Sequence, residues 1–222
     1  MSRAPNHVDR EVISELTTGR LSVYLRCLTF LESQGQKTIS SHELADRFHL
    51  NSAQIRKDLA CFGEFGTRGV GYDVSRLKQQ LVQELGIDRT RNVVIIGAGN
   101  LGMALADYAG FHTSGFHIVA LLDIDPAKVG RASRHGISVL PYDQLADVVR
   151  RNHVEIGIIA VTAEAAQSVH DALVGAGLRA ILNFAPVQLR LREGVKVKSV
   201  DLRINLESLS FHLKNVEDGV TE

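Results

Sequence analysis

The apolar positions of this chain keep two different rhythms, and the change falls near residue 90. Leu21, Tyr24, Leu25, Leu28 and Leu31 recur at steps of three and four, which predicts an amphipathic helix over Leu21–Glu32. Ser40 stands three residues before Glu43 and ahead of Leu44, Ala45 and Phe48, a capping box that opens a second helix. After a break at His49–Leu50, Asn51 and Gln54 repeat the N-terminal signature and start a third helix, to about Cys61. Two short helices joined by so brief a turn form a helix-turn-helix pattern. The stretch from Phe62 to Tyr72, FGEFGTRGVGY, sets Gly63, Gly66, Gly69 and Gly71 between aromatic and apolar positions, as in a small β-hairpin. Three helices and a hairpin predict a winged helix. Leu77, Leu81 and Leu85 align on a further helix, Ser75–Leu85, which Gly86 stops; the polar run Ile87–Asn92 is the expected boundary.

Beyond it, apolar runs of strand length alternate with helical patterns. Strands are expected at 93–96, 118–122, 137–140, 156–161, 180–183 and 195–200. Helices are expected at 100–109, 143–151 and 164–176. Such alternation calls for an α/β fold, a Rossmann-like doubly wound parallel sheet. A last helix carries Leu202, Leu206, Leu209 and Leu213 at steps of four, three and four. The expected organisation is a winged-helix domain at 1–88, an α/β domain at 89–201, and a C-terminal helix and tail at 202–222.

The α/β part opens with VVIIGAGNLG. An apolar strand runs into Gly97-x-Gly99-x-x-Gly102, a helix starts near Asn100, and Asp123 closes the next strand 21 positions after Gly102. Strand, glycines, helix and acid together make the dinucleotide fingerprint. The glycines allow a tight turn, close approach of backbone to a pyrophosphate, and close packing of helix on strand. The turn Gly97, Ala98, Gly99, Asn100, Leu101, Gly102 would offer a helix N-terminus to the anion. Asp123 would accept from the adenine ribose hydroxyls and repel a 2′-phosphate, favouring NAD(H). Thr162 and Asn183 follow the carboxyl ends of their strands, where ligands of open α/β sheets sit. A helix cap for Thr162 and a turn for Asn183–Pro186 would account for the same residues.

Composition narrows the class. Apolar residues make up 45% of 222, enough for real cores. No apolar run nears the roughly 18 residues of a membrane span. The N-terminal segment lacks the apolar stretch of a signal peptide. Cys27 and Cys61 form no CxxC pair, which argues for a reducing compartment and a cytoplasmic protein. Net charge is zero, yet from Arg47 to Lys78 six basic residues face three acids, a local surplus suited to phosphate. On the third helix Ile55, Leu59 and Phe62 should pack inward. Ala53, Gln54, Arg56, Lys57 and Ala60 would then face out. In a major groove Gln54 could pair with adenine, and Arg56 or Lys57 with guanine. Ser52 at the helix start could hold phosphate, and Arg68 beside Gly69 at the hairpin tip could enter a minor groove. A protein-binding winged helix would present a similar face.

Only about twenty residues follow the sheet, too few for a substrate domain, and none of the nine histidines pairs with an acid or cysteine at a telling spacing. No catalytic or metal-binding residue is nominated, and the size favours sensing over turnover.

YLRCL at Tyr24–Leu28, IRKDLACFGEFGTRGVGY at Ile55–Tyr72, GAGNLGMALADY at Gly97–Tyr108, NFAP at Asn183–Pro186 and VDL at Val200–Leu202 span nearly the whole chain. In these the sequence resembles the Rex family of bacterial redox-sensing transcriptional repressors. The resemblance implies a homodimer that binds double-stranded operator DNA when NADH is low and releases it on binding NADH. It implies a C-terminal helix exchanged between subunits, Tyr108 beside the nicotinamide, and an ion pair across the dimer between Arg26 and Asp201. Arg26 stands among Val23, Cys27 and Phe30, where a buried charge would need a carboxylate partner. Ala60 and Cys61 depart from the Ser and Tyr expected there, which leaves their groove contacts open. Two other readings remain: a small NAD-dependent oxidoreductase with a dimerisation module, and a regulator sensing another adenine nucleotide such as coenzyme A.

Overall fold

The computed structural model describes residues 14–63, 66 and 70–217. The chain divides into two compact units, Met1–Arg89 and Thr90–Glu222.

The N-terminal unit is a helical bundle. Its elements are α1 (Glu15–Ser33), β1 (Thr38–Ile39), α2 (Ser41–Phe48), α3 (Ser52–Ala60), β2 (Tyr72–Asp73) and α4 (Val74–Glu84). α1 starts two turns earlier than its apolar stripe, because Ser14 caps it by accepting from the Thr17 N–H. Ser40 accepts from Glu43 N at the start of α2, and Asn51 from Gln54 N at the start of α3. His49 ends α2 in the left-handed region at φ 53°, so the turn into α3 is His49–Asn51. Leu21, Tyr24, Leu28 and Leu31 of α1, Leu44 of α2, Ile55 and Leu59 of α3 and Leu77 and Leu81 of α4 form one buried core. Residues 64–65 and 67–69 of the expected hairpin lie outside the described residues. Tyr72 and Asp73 pair antiparallel with Ile39 and Thr38, a strand between α1 and α2 too short to show alternation. Arg68 and Gly69 lie outside the described residues.

The second unit carries β3 (Arg91–Ile96), α5 (Asn100–Ala106), α6 (Ala109–Thr113), β4 (Phe116–Asp123), β5 (Val139–Pro141), α7 (Leu145–Arg151), β6 (Ile156–Ile159), α8 (Ala163–Gly175), β7 (Ala180–Asn183), β8 (Lys196–Ser199) and α9 (Leu202–Glu217). All six strands are parallel in the order β5-β4-β3-β6-β7-β8, the doubly wound arrangement. Val94 and Ile96 point into one core, and Val93 and Ile95 into the other on the opposite face, as the period of two dictates. The helix expected at 100–109 breaks at Asp107. Its carboxylate instead accepts from the backbone N–H groups of Arg134 and His135. β3 begins at Arg91, inside the expected boundary.

α9 packs differently from every other helix. Leu202, Ile204, Leu206, Leu209, Phe211, Leu213 and Val216 are all more than half exposed. Its leucine stripe does not fold back onto its own unit.

Candidate functional site

At the carboxyl ends of β3 and β6, where the strand order reverses, lies a cavity of about 600 Å³. That is the crevice in which open parallel sheets hold ligands. Gly97 turns the chain out of β3 at φ +104°, its position too close to the Ala160 carbonyl for any side chain. A Cβ at Gly102 would collide with the Gly97 carbonyl, whereas one at Gly99 would meet open space. The loop is therefore closed on the protein side and open on the cavity side. At the start of α5 the first-turn N–H groups have no intrahelical acceptor. Gly97, Gly99, Asn100, Leu101, Asp123 and Thr162 line the cavity, with Lys128, Tyr142, Val161, Phe184 and Pro186.

Asp123 is buried at the end of β4. Its Oδ2 accepts from Ala98 N at 2.7 Å and from Lys128 Nζ at 3.0 Å, and its Oδ1 from Asp125 N at 2.9 Å. Burial alone would raise its pKa; the two backbone N–H groups and the ammonium outweigh that and hold it below the ordinary carboxylate value. A carboxylate offers roughly four acceptor positions, so about one remains for a ribose hydroxyl. Lys128 offsets part of the Asp123 charge.

Other expected residues sit elsewhere. Ala98 and Gly102 are buried in the turn and shape it from behind. Asn183 is fully buried. Its amide donates to the carbonyls of Ala185 and Val187 and to Ser199 Oγ, and its oxygen accepts from Ala185 N. Asn183 staples the turn that brings Phe184 and Pro186 to the cavity rather than lining it. Thr162 is exposed at the start of α8, and its carbonyl accepts from Ala165 N. Tyr108 is exposed and stacks edge-on against Phe111 at 5.0 Å; it does not line this cavity. Lys128 was missed, although its place five residues after Asp123 in DIDPAK was a legible signal.

On α3, Ile55 and Leu59 are buried and Phe62 half-buried, while Ala53, Arg56, Lys57 and Ala60 are exposed. Ser52 and Gln54 are half-buried. Arg56 donates to Ser41 Oγ at 3.1 Å, which ties it to α2. Gln54 is not a free side chain. Its Nε2 donates to Asp58 Oδ1 at 2.7 Å. Asp58, 2% exposed, also accepts from Arg20 Nε and Nη2 at 2.6 and 2.8 Å and from the Tyr24 hydroxyl at 2.8 Å. Burial would raise the Asp58 carboxyl, but Arg20, Gln54 and Tyr24 hold it below the ordinary value. Burial, and then the bond to Asp58, push the Tyr24 phenol upward. The sequence reading missed this group. Arg20 and Tyr24 are one helical turn apart, and Asp58 follows Ile55 by three, which sets an acid beside the buried stripe.

Arg26 is exposed on α1. Asp201 accepts from the Arg203 N–H at 2.9 Å, and the Arg203 guanidinium lies 3.4 Å away.

A helix-turn-helix unit followed by a doubly wound α/β unit with a nucleotide-sized cavity defines a class, the ligand-responsive DNA-binding regulators. Residues 12–60 match the family model described as the N-terminus of putative DNA-binding proteins, and residues 88–187 match a CoA-binding domain. The redox-sensing transcriptional repressor Rex of Carboxydothermus hydrogenoformans is 52% identical over 91% of this chain and 97% of its own. That of Streptomyces avermitilis is 50% identical over 90% and 79%. A crystal structure of RSP in complex with NAD⁺ and operator DNA matches with a TM-score of 0.88, at 39% identity over 93% of this chain and 94% of that one. RSP in complex with NADH matches at 0.83 and 38%, over 93% and 96%. The chain belongs to the Rex family of redox-sensing transcriptional repressors, and it is a regulator rather than an enzyme. Among the described residues no helix is long and apolar enough to cross a membrane, and no His, Cys, Asp or Glu cluster could hold a metal ion.

Proposed function

We propose that this chain represses transcription by gripping operator DNA through α3, and that NADH in the β3–β6 cavity makes it let go. The observation that carries this is one polypeptide with both an exposed Ala53/Arg56/Lys57 face on α3 and an open glycine loop beside Asp123. Gly99, Asn100, Leu101 and Thr162 border the dinucleotide, and Ala98, Gly102 and Asn183 hold the loops that do so. Ser52, Arg56 and Lys57 meet phosphate or base edges, and Arg68 and Gly69 are assigned to the DNA contact from the sequence alone. NADH and NAD⁺ differ by one positive charge, and the apolar wall of Val161, Phe184 and Pro186 disfavours a desolvated cation. A swing from mostly bound to mostly free DNA needs about 10⁴-fold preference of NADH for the released state.

The working form is a cytoplasmic homodimer. The apolar face of α9 supports exchange of this helix between subunits, with Tyr108 near the nicotinamide and Arg26 of one subunit facing Asp201 of the other. Replacing Leu206 and Phe211 with Asp should give monomers in sedimentation; dimers from that variant would reject the exchange. The match to a CoA-binding model favours one rival ligand, coenzyme A, and calorimetry with NADH and CoA separates them. Titrating NADH and NAD⁺ into a labelled operator complex tests the whole reading. Release by NADH at far lower concentration supports it, and equal release by both rejects it.

A further inference from the structure

Asp58 is the one fully buried carboxylate of the helical unit's described residues, and all its partners are donors. An ionised carboxylate only accepts. The atom of Gln54 that faces it at 2.7 Å must therefore be the amide nitrogen, and the amide cannot turn over. One N–H of Gln54 is spent on Asp58. One N–H and Oε1 are left.

That remainder decides what Gln54 can read. Adenine shows a donor (N6) and an acceptor (N7) in the major groove, while guanine shows two acceptors, O6 and N7. A free glutamine can meet guanine by offering both N–H groups of its amide. Gln54, held by Asp58, cannot. The geometry points to Asp58 as a positioning residue that fixes Gln54 as a reader of an exocyclic base amine, adenine over guanine, by locking its amide with the nitrogen inward. This rests on the reading that α3 enters the major groove of DNA. Arg20 spans both oxygens and Tyr24 holds Oδ2, so the lock is anchored on α1 rather than on α3 itself.

The substitution Asp58→Asn changes the sign of the contact. Arg20 spans the carboxylate, with Nε on Oδ2 beside Tyr24 and Nη2 on Oδ1 beside Gln54. Nε has a single N–H, given to Oδ2, whereas Nη2 also reaches Thr17 Oγ1 at 3.2 Å, so the oxygen of the introduced amide stays with Nε and Tyr24 and its NH₂ takes the Oδ1 side, facing Gln54. Gln54 then flips, places Oε1 inward and offers two N–H groups outward. The amide that preferred adenine now suits guanine.

The test uses the full-length protein and a duplex that it selects from a random pool. Single-base variants of that duplex, bound to wild type and to Gln54→Ala, locate the position at which Gln54 acts. There, wild type should bind adenine about tenfold more tightly than guanine, roughly the worth of one good contact. Purine lacking the 6-amino group should lose a similar factor. In Asp58→Asn the adenine preference should fall to even or reverse, whereas Tyr24→Phe, which removes one donor and leaves the carboxylate ionised, should keep it. Should Asp58→Asn fail to fold, the loss caused by the missing amino group in wild type and Tyr24→Phe decides instead. An unchanged base preference in folded Asp58→Asn overturns the proposal, as does indifference to the 6-amino group. If Gln54→Ala alters no base preference while Lys57→Ala weakens binding, DNA reading stands and the role of Gln54 falls. If no duplex is selected at all, the DNA reading itself fails.

Discussion

The two units place their working groups by opposite means. On α3 the proposed reader Gln54 hangs from a buried charge network, in which Asp58 gathers Arg20, Tyr24 and Gln54. In the β3–β6 cavity the work falls to backbone, with Gly97, Gly99 and the first turn of α5 defined by sheet topology, and Asp123 holding the Ala98 N–H. Side-chain placement makes a contact selective and easy to retune by one substitution. Backbone placement makes a contact general to any pyrophosphate and sensitive to added bulk alone.

The largest effect should come from bulk in the glycine loop. Gly102→Val drives a side chain into the Gly97 carbonyl and should destabilise the second unit by roughly 3 kcal/mol or more. A lower melting temperature and lost NADH binding would register it. Gly99→Val meets no protein atom. It should leave melting unchanged and weaken NADH at least tenfold, about 1.4 kcal/mol, with DNA binding intact. A destabilised Gly99→Val, or one with normal NADH affinity, would break the contrast.

Acid comes next. Asp58 and Asp123 both lie below their ordinary value of 3.8 when folded, and Asp107, gripped by the Arg134 and His135 backbone, lies at about 2. For a lowered carboxylate the stabilisation is fully present above the unfolded value and is lost as pH falls through the folded one. Melting temperature should therefore hold from neutrality to about pH 4 and drop below it. Asp123→Asn should flatten that drop in the nucleotide unit and Asp58→Asn in the helical unit. A drop unaltered in both would show that other groups dominate.

Lys57 gives the smallest effect. Exposed and without a rigid anchor, it should weaken all duplexes alike when replaced by Ala, lowering the salt dependence of binding by about one unit. A change of sequence preference instead would place Lys57 on a base edge.

Much of this was legible beforehand. Periodicity located every helix from α1 to α4 except the first two turns of α1, and the six strands fell within a few residues of their expected spans. The capping residues Ser40 and Asn51 did what their spacing implied. β1 was invisible because two residues carry no alternation. The sites were harder, for a physical reason: a motif marks which residues approach the ligand but not how their polar groups are already spent. Asn183 and Asp123 stand where expected, yet most of their bonding capacity goes to the protein itself. Gln54 bonds Asp58 directly, one turn along α3, but Asp58 is held by Arg20 and Tyr24 of α1, more than thirty residues away in sequence, and that hold leaves no mark on the local pattern of α3.

The most direct test of the account is operator binding at a fixed total nucleotide concentration while the NADH:NAD⁺ ratio is varied. The account predicts that occupancy of the duplex falls steeply as the ratio rises, and that Gly99→Val stays bound throughout. Occupancy that does not change with the ratio in the wild-type protein would contradict it.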